Sequence, residues 1–169
     1  MDTSYIIDEL ERNKSVFKSL LENLPPEIYL RRMSEGKWNL LEILCHLYDE
    51  EREDFRARVF SVLENPEVSL SPIDPQGWVS SRNYASQNYN DKLNDFLEER
   101  SHSLKMLREL KNPKWENIHI HSKLGAVSAK MFFVNWLAHD YLHIRQITKL
   151  KYEFLKASEG ESLSYAGEW

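Results

Sequence analysis

Two histidines four residues apart are the strongest chemical signal in this sequence. His139 and His143 lie in the stretch Trp136–Gln146, inside a segment from roughly Ser128 to Tyr152 that contains no proline or glycine. Apolar residues recur along the segment at the spacing of a helix face turned toward a core, and both histidines fall on that face. A four-residue step rises about 6 Å and returns to nearly the same azimuth, so both imidazoles can reach one point. The spacing predicts a pair of metal ligands.

A structural role for these histidines is the alternative interpretation. A single histidine on an apolar face is usually a hydrogen-bonded core residue, but two imidazoles in a dry core need two partners. The pair alone leaves both interpretations open, and a third ligand would favour the metal. His46 is the candidate, because it lies at the edge of another apolar stripe at helical spacing. Its neighbour Cys45 is rotated about 100° around the helix axis, so we expect the thiol to point elsewhere.

The predicted ligand set of His46, His139 and His143 defines a class of metal site. Three neutral imidazoles form a borderline-soft nitrogen site suited to Zn²⁺ or Ni²⁺, with Fe²⁺ also compatible. Three protein ligands leave at least one position for water or substrate, as in catalytic zinc sites. Neutral ligands leave the ion its full 2+ charge, which lowers the pKa of a bound water or thiol and makes it a nucleophile toward an electrophile.

Further side chains could complete such a site. Glu50 lies one turn beyond His46 and could accept a proton or orient the nucleophile, although the acidic run 49–54 also fits a surface carboxylate. Gln146, one turn past His143, could hydrogen-bond a ligand or cap a helix contact. Three aromatic residues could wall the pocket or simply belong to the core: Trp38, Trp78 and Tyr84.

Four amphipathic segments must position these residues. The predicted helices run from about Thr3 to Leu24, from Asn39 to about Glu64, from about Asn88 to Lys111, and from roughly Ser128 to Tyr152. Asn39 followed three residues later by Glu42 is typical of a capping box. The sequence therefore predicts an all-α four-helix bundle with its apolar stripes turned inward.

The segment from Asn65 to about Gln87 is longer than most connections in a compact domain. A crossing of about twenty residues can carry the chain back along the bundle and make the second and third helices parallel. The same segment could also cover a site as a lid. Both roles are compatible with the sequence.

Polar stretches elsewhere are interpreted as surface. The alternation from Ile118 to His121 is typical of a strand, and we interpret it as a short exposed extension, with a second metal site there as the alternative. The tail from Glu153 is expected to pack back onto the body through Leu163, Tyr165 and Trp169. The third helix carries a charged face that we predict to be solvated, with Glu98, Glu99, Arg100, Lys105 and Arg108.

Composition limits the class of protein. A chain of 169 residues is most simply one domain, spanning 1–169, with room for a substantial core. The net charge of −5 and the lack of a Lys/Arg cluster argue against a nucleic-acid partner. No apolar run reaches the roughly 18 residues of a membrane span, and the N-terminus does not resemble a signal peptide. The single cysteine cannot form an internal disulfide, so we expect a cytoplasmic protein.

The sequence resembles the DinB-like family of small metal-binding four-helix bundles. The resemblance covers the whole chain and rests on three stretches: Gly36-Lys-Trp38-Asn39 running into Leu44-Cys-His46, the stretch Trp136–Gln146, and the ending Tyr165-Ala-Gly-Glu-Trp169. It implies that His46, His139 and His143 are the family's three metal-binding histidines. It also implies an up-down-down-up bundle, in agreement with the long second connection, and frequent dimerisation.

The resemblance further implies a metal-dependent enzyme acting on a small molecule. Characterised members include metal-dependent thiol transferases, a thiol-dependent isomerase and a hydrolase, so membership does not define one reaction. We predict a thiol-dependent S-transferase that uses a low-molecular-weight thiol and forms a homodimer. A metal-dependent hydrolase and a non-catalytic metal-binding or dimerising bundle remain the alternatives.

A zinc protease is a weaker interpretation of the same histidines. The stretch His139-Asp-Tyr-Leu-His143 resembles the protease motif H-E-x-x-H, with aspartate at the glutamate position. Aspartate is one methylene shorter, the third ligand would have to lie upstream, and the sequence contains no strong sheet pattern.

Overall fold

Four long helices make up most of the protein in a computed structural model that describes residues 2–160 and 162–167. The first is Thr3–Leu21, the third is Tyr89–Glu109 and the fourth is Ala129–Glu159. The second runs without interruption through Leu40–Asp49, a π-helical segment Glu50–Arg56, and Ala57–Glu64. The short elements are Pro26–Tyr29, Pro75–Ser81, two 3-10 turns at Tyr84–Ser86 and Ser164–Ala166, and an antiparallel hairpin of Ile118–His121 with Gly125–Ser128.

Local sequence determines where the site-bearing helices begin and end. The predicted capping box is confirmed: the Glu42 amide donates to Asn39 at 2.9 Å, and the Asn39 amide donates to Glu42 at 3.0 Å. The Ser128 hydroxyl caps the fourth helix by accepting from the Met131 amide. The predicted end of this helix at Tyr152 is wrong, because nothing breaks the helix before Gly160, whose left-handed φ of 66° ends it.

Side-chain contacts show that the first and third helices are antiparallel while the second and third are parallel. The ring of Phe17 packs edge-on against Phe96, and the Tyr89 hydroxyl at the start of the third helix donates to the carbonyl of Leu21, the last residue of the first. Between the second and third helices, Lys92 lies over the ring of Tyr48. Farther along both helices, Arg56 contacts Ser103.

The fourth helix runs parallel to the first and antiparallel to the second. Near the middle of the first helix Asn13 donates to Asp140, and near its end Lys151 donates to the Leu20 carbonyl. Against the second helix, residue 46 meets residue 139 and residue 55 meets residue 136. The bundle is therefore up-down-down-up, as predicted. None of the described helices is long and apolar enough to cross a membrane.

The long connection after the second helix returns the chain along the bundle. It contributes Trp78 and Tyr84 to the core, and the Tyr84 hydroxyl donates to Asp49 at 2.6 Å. The hairpin is less exposed than predicted, because His119 is buried and contacts the Pro66 carbonyl at 2.8 Å. Tyr165 is fully exposed, so the expectation that it packs onto the body is wrong, and Trp169 lies outside the described residues.

A layer of polar side chains crosses the middle of the bundle. One apolar cluster contains Leu10 of the first helix and Leu104 of the third, and a second cluster contains Phe17 and Phe96 of the same helices. Between the two clusters each long helix contributes at least one buried polar residue. These are Asn13 from the first helix, His46, Glu50 and Glu51 from the second, Arg100 from the third, and Asp140 and His143 from the fourth.

Candidate metal centre

Three imidazoles meet in this polar layer, and we refer to His46, His139 and His143 as the histidine cluster. The Nε2 atoms of His46 and His139 lie 3.2 Å apart, and those of His139 and His143 lie 3.0 Å apart. One ring nitrogen from each residue lies within 4.8 Å of the others. The antiparallel second and fourth helices thus bring together residues 93 positions apart in sequence.

The spacing of the histidine cluster fits a divalent ion. Zinc–nitrogen bonds of about 2.0–2.1 Å in a tetrahedral arrangement place ligand nitrogens about 3.3 Å apart, close to the two observed separations. Two imidazole nitrogens can share only one proton, so three that converge cannot satisfy one another. The Nδ1 atoms of His46 and His143 are buried and have no hydrogen-bond partner. The donor set therefore fits a metal better than it fits a closed hydrogen-bond network.

Burial keeps the histidine cluster neutral. Burial, together with the neighbouring imidazoles, lowers the pKa of His46 to about 3 and of His139 to about 2, and burial lowers the pKa of His143 to about 4. The side chain of Gln146 acts in the opposite direction and raises the pKa of His143, because it favours the protonated imidazole. Since a neutral imidazole offers a lone pair, the cluster is ready to ligate at neutral pH.

Glu50 lies on the side of His46 that faces away from the other two imidazoles. Its Oε1 atom is 4.0 Å from Nδ1 of His46, whereas Nε2 of His46 faces His139. That carboxylate oxygen is buried and has no hydrogen-bond partner. Burial, and then the charge of Asp54, raise the pKa of Glu50 to about 8. This position suits a carboxylate that orients a metal-binding histidine.

Aromatic rings enclose the histidine cluster on two sides. The Trp38 ring lies 4.8 Å from the His46 ring, and the Phe55 ring lies 4.9 Å from the His139 ring. Of the three aromatic residues considered from sequence, Trp38 is thus beside the cluster. Trp78 and Tyr84 instead pack with Arg82 and Asp49 at the crossover.

A second group of polar residues lies behind the histidine cluster, and we refer to Arg100, Glu51 and Asp140 as the arginine cluster. The guanidinium donates to both carboxylates, with Nε 3.0 Å from Glu51 and Nη1 and Nη2 2.7 and 2.8 Å from Asp140. Trp136 donates to Glu51 at 2.9 Å, and Asn13 donates to Asp140 at 3.2 Å. Arg100, Glu51 and Asp140 are each at most 1% exposed.

The prediction that Arg100 is a solvated surface residue is wrong. The interpretation of the acidic run 49–54 as surface is also wrong for its first three residues. Asp49, Glu50 and Glu51 are all buried. A signal for Arg100 was present in the sequence, because it lies at helical spacing between Phe96 and Leu104 on the apolar stripe.

A separate cavity of about 240 Å³ lies around Cys45 and Tyr48, outside the histidine cluster. Its cationic residues each have an acidic partner: Arg52 pairs with Glu99, Arg82 with Asp49 and Glu53, and Lys92 with Asp95. Cys45 is free and buried, and burial raises the pKa of its thiol to about 12. This cavity therefore offers neither an unpaired charge nor a reactive thiolate.

Comparisons with known proteins agree with this architecture. The fold is similar to that of YfiT from Bacillus subtilis, described as a probable metal-dependent hydrolase with an unusual four-helix bundle topology. The TM-score is 0.79 at 18% sequence identity, and the match covers 90% of this chain and 87% of that chain. No curated protein matches the sequence.

Family membership follows from the sequence itself. The profile of the DinB superfamily matches residues 9–147, a range that includes all three histidines of the cluster, the second and third helices, and most of the first and fourth. We conclude that the chain belongs to the DinB superfamily.

Proposed function

We propose that His46, His139 and His143 together bind one divalent metal ion, Zn²⁺ or Ni²⁺ in preference to Fe²⁺. The observation that carries the proposal is the convergence of three neutral imidazoles, whose Nε2 atoms are separated by 3.0 and 3.2 Å. Nitrogen ligands of this softness suit these ions. With three protein ligands, a further coordination position stays available to water or substrate.

The proposed reaction is the attack of a small thiol on an electrophilic small molecule, which makes the protein a thiol-dependent S-transferase. An ion held by three neutral ligands supplies the charge that lowers the pKa of a bound thiol or water. The protein would contribute a fixed ligand geometry and a site from which water is largely excluded by Trp38 and Phe55. Thiolate is preferred over hydroxide because of the resemblance to thiol transferases of this family.

Glu50 is the proposed proton-handling residue of the site. Its pKa of about 8 lies near neutral pH, where a carboxyl group can both take up and release a proton. From its position beside Nδ1, it can also hold the His46 ring with Nε2 directed toward the other ligands. Replacing Glu50 by glutamine should slow turnover without emptying the metal site.

A metal-dependent hydrolase is the second candidate function. The similarity in fold to a probable metal-dependent hydrolase favours it, and the same site would then activate water. If the metal serves only stability or association, the third candidate is a non-catalytic bundle.

We also propose that the protein is a cytoplasmic homodimer. The parallel first and fourth helices expose a strip of apolar side chains, formed by Tyr5, Val134, Tyr141 and Leu142. Burial of such a strip against a second copy would remove apolar surface from water. Light scattering should give twice the monomer mass of 20.1 kDa, and Leu142→Asp should shift the mass toward the monomer.

Metal analysis of untagged protein is the first test of the proposed function. We expect one equivalent of a divalent ion, sharply reduced occupancy in each of His46→Ala, His139→Ala and His143→Ala, and unchanged occupancy in His102→Ala, His119→Ala and His121→Ala. Equal metal content in all six variants would contradict the ligand assignment.

A screen of reactions distinguishes the three candidate functions. Low-molecular-weight thiols should be combined with alkylating acceptors, beside a panel of esters and amides without thiol. Metal-dependent conjugation supports the transferase, and metal-dependent cleavage without thiol supports the hydrolase. Fully metallated protein that is inactive in both assays would favour the non-catalytic bundle.

A further inference from the structure

We infer that a cavity beside the histidine cluster binds the uncharged, apolar part of the substrate. The cavity has a volume of about 560 Å³, which lies within the roughly 300–1,000 Å³ of small-molecule sites. It occupies the groove between the second and fourth helices, and is covered by residues 70–73 of the crossover and 121–124 of the hairpin turn. The inference rests on the proposed function, since it names the class of molecule on which the same site acts.

The cavity shares its wall with the histidine cluster. Phe55 lines the cavity, and its ring is 4.9 Å from the His139 ring. Asp54 also lines it, and its charge helps to raise the pKa of Glu50, the carboxylate beside His46. On the opposite wall Asn135 precedes His139 by one helical turn. A molecule in the cavity would therefore have one end next to the histidine cluster.

The lining of the cavity favours an uncharged occupant. Asp54 forms an ion pair with Arg58, so the two charges on the inner wall compensate each other. Lys123 lies in the exposed turn at the mouth. A charged group placed deeper would lose its water without gaining a counter-charge. The remaining walls are mainly apolar, with Phe55, Leu70, Ile73, Leu124, Met131 and Phe132.

His121 supplies one directional polar group to this lining. Its Nδ1 atom accepts from the backbone amides of Lys123 and Leu124 at 3.1 and 3.2 Å. In the neutral ring Nε2 then carries the proton and is a donor. The preferred occupant is thus an uncharged, mainly apolar molecule with a hydrogen-bond acceptor that faces His121, such as the carbonyl of an ester.

Binding of an uncharged fluorescent amine, N-phenyl-1-naphthylamine, tests this inference without requiring turnover. We expect saturable binding of one molecule per chain. Leu124→Asp should weaken it at least tenfold, because a carboxylate would enter the apolar mouth. Ile120→Asp is the matched control, since Ile120 is 72% exposed on the same hairpin and does not line the cavity, and it should change the dissociation constant less than twofold. Leu124 is itself 63% exposed, so its replacement should leave the fold intact.

A second pair of variants tests the side of the cavity that is covered by the crossover. Ile73→Asp should weaken binding of the amine at least tenfold, whereas Val68→Asp, on the same crossover but outside the cavity, should not. Circular dichroism and urea unfolding show that each variant is folded. No saturable binding to the native protein, or equal binding in the folded Leu124→Asp and Ile120→Asp variants, would overturn the inference.

The position of the bound amine relative to the histidine cluster is tested by metal exchange. Loading with Co²⁺ in place of Zn²⁺ should quench the fluorescence of the bound amine, because a paramagnetic ion at short distance provides a route for energy loss. Equal fluorescence with the two ions bound would overturn the assignment of the cavity to this site. A protein that binds the amine but no metal would instead overturn the proposed function.

Discussion

The polar layer of the bundle contains two clusters that differ in how completely their hydrogen bonds are made. In the arginine cluster, Arg100 donates to Glu51, to Asp140 and to the Leu10 carbonyl, while Trp136 and Asn13 supply further donors. In the histidine cluster, buried Nδ1 atoms of His46 and His143 have no partner, and neither has Oε1 of Glu50. The clusters adjoin, since His139 precedes Asp140 and Glu50 precedes Glu51.

This difference separates a structural role from a functional one. A buried polar group without a hydrogen bond costs roughly 1–3 kcal/mol, so a fold tolerates several only where something else compensates. The arginine cluster needs no further partner and ties the four helices together. In the histidine cluster no single proton can serve all three converging Nε2 atoms, and an ion bound between them would take up their lone pairs. We therefore expect substitutions in the first to act on stability, and those in the second on metal binding.

The largest effect is expected from Arg100→Met. It leaves Glu51 and Asp140 buried without their counter-charge, which should lower the free energy of unfolding by about 3–5 kcal/mol. Urea unfolding measures the loss. Arg108→Met is the control: this arginine is about half exposed and pairs with Glu11 at the surface, so its loss should cost less than about 1 kcal/mol. Equal losses in the two variants would show that the arginine cluster is not a structural anchor.

Metal addition should stabilise the native protein by completing the histidine cluster. At a free Zn²⁺ concentration of about 100 times the dissociation constant, the free energy of unfolding should rise by about 2.7 kcal/mol. His139→Asn should abolish this gain while keeping most of the helical circular dichroism. His102→Asn, at an exposed position, should keep the full gain. Stabilisation that survives in His139→Asn would place the metal elsewhere.

Acid should weaken the metal-free protein through the same cluster. The three folded-state pKa values of about 2 to 4 lie below the ordinary value of 6.5, so below pH 6.5 the unfolded chain binds protons that the folded chain does not. Each such histidine lowers the free energy of unfolding by about 1.4 kcal/mol per pH unit. Glu50, with its pKa raised to about 8, has the opposite sign between pH 8 and 4.5. Asp54 and Asp140, whose pKa values are also raised by burial, have the same sign as Glu50, so the net dependence should be shallower than three protons.

Urea unfolding of metal-free protein at pH 7 and pH 5 tests the acid effect. Stability should be lower at pH 5, and His139→Gln should make the dependence shallower by about one proton. His102→Gln should leave the dependence unchanged. A stability that is constant between these pH values would mean that the imidazoles bind protons equally in the folded and unfolded states.

The smallest effect is expected from Glu50→Gln. This residue lies where the two clusters adjoin, and the substitution tests whether it orients His46 or binds the metal itself. Glutamine retains the size of the side chain and can still contact Nδ1 of His46, so zinc stoichiometry should be retained. Affinity should fall about tenfold, as for other groups that orient a ligand. Calorimetric zinc titration measures the change. Loss of stoichiometric binding would show that Glu50 is itself a ligand.

Much of the bundle could be predicted from sequence, because apolar periodicity and capping residues are local signals. The capping box at Asn39, the crossover and the direction of all four helices agree with the structure. The convergence of His46 with His139 and His143 was also predictable, since all three lie on inward faces. Whether they bind metal stays a prediction.

The burial of Arg100 was not predicted, because its charge was taken to mean that the side chain is exposed to solvent. Its place on the apolar stripe was a local signal for burial, but its partners on the second and fourth helices leave no local pattern. The burial of consecutive Glu50 and Glu51 has a similar origin, since the second helix is buried on nearly all sides from residue 40 to residue 51 and this depends on its neighbours in the bundle. The π-helical form of the segment that begins at Glu50 was not predicted either.

The π-helical segment Glu50–Arg56 also governs how this gene can change in length. A π turn accommodates one residue more than an α turn, so the segment is equivalent to a single inserted codon. Deleting one codon there would restore a regular helix and leave the downstream residues with the same orientation, so Phe55, Val59 and Val62 would stay in the core. A one-codon deletion in the regular parts of the same helix would instead rotate every residue after it by about 100°. Length variation among descendants of this gene should therefore concentrate in the crossover, the hairpin turn and this segment, and spare the regular helical parts.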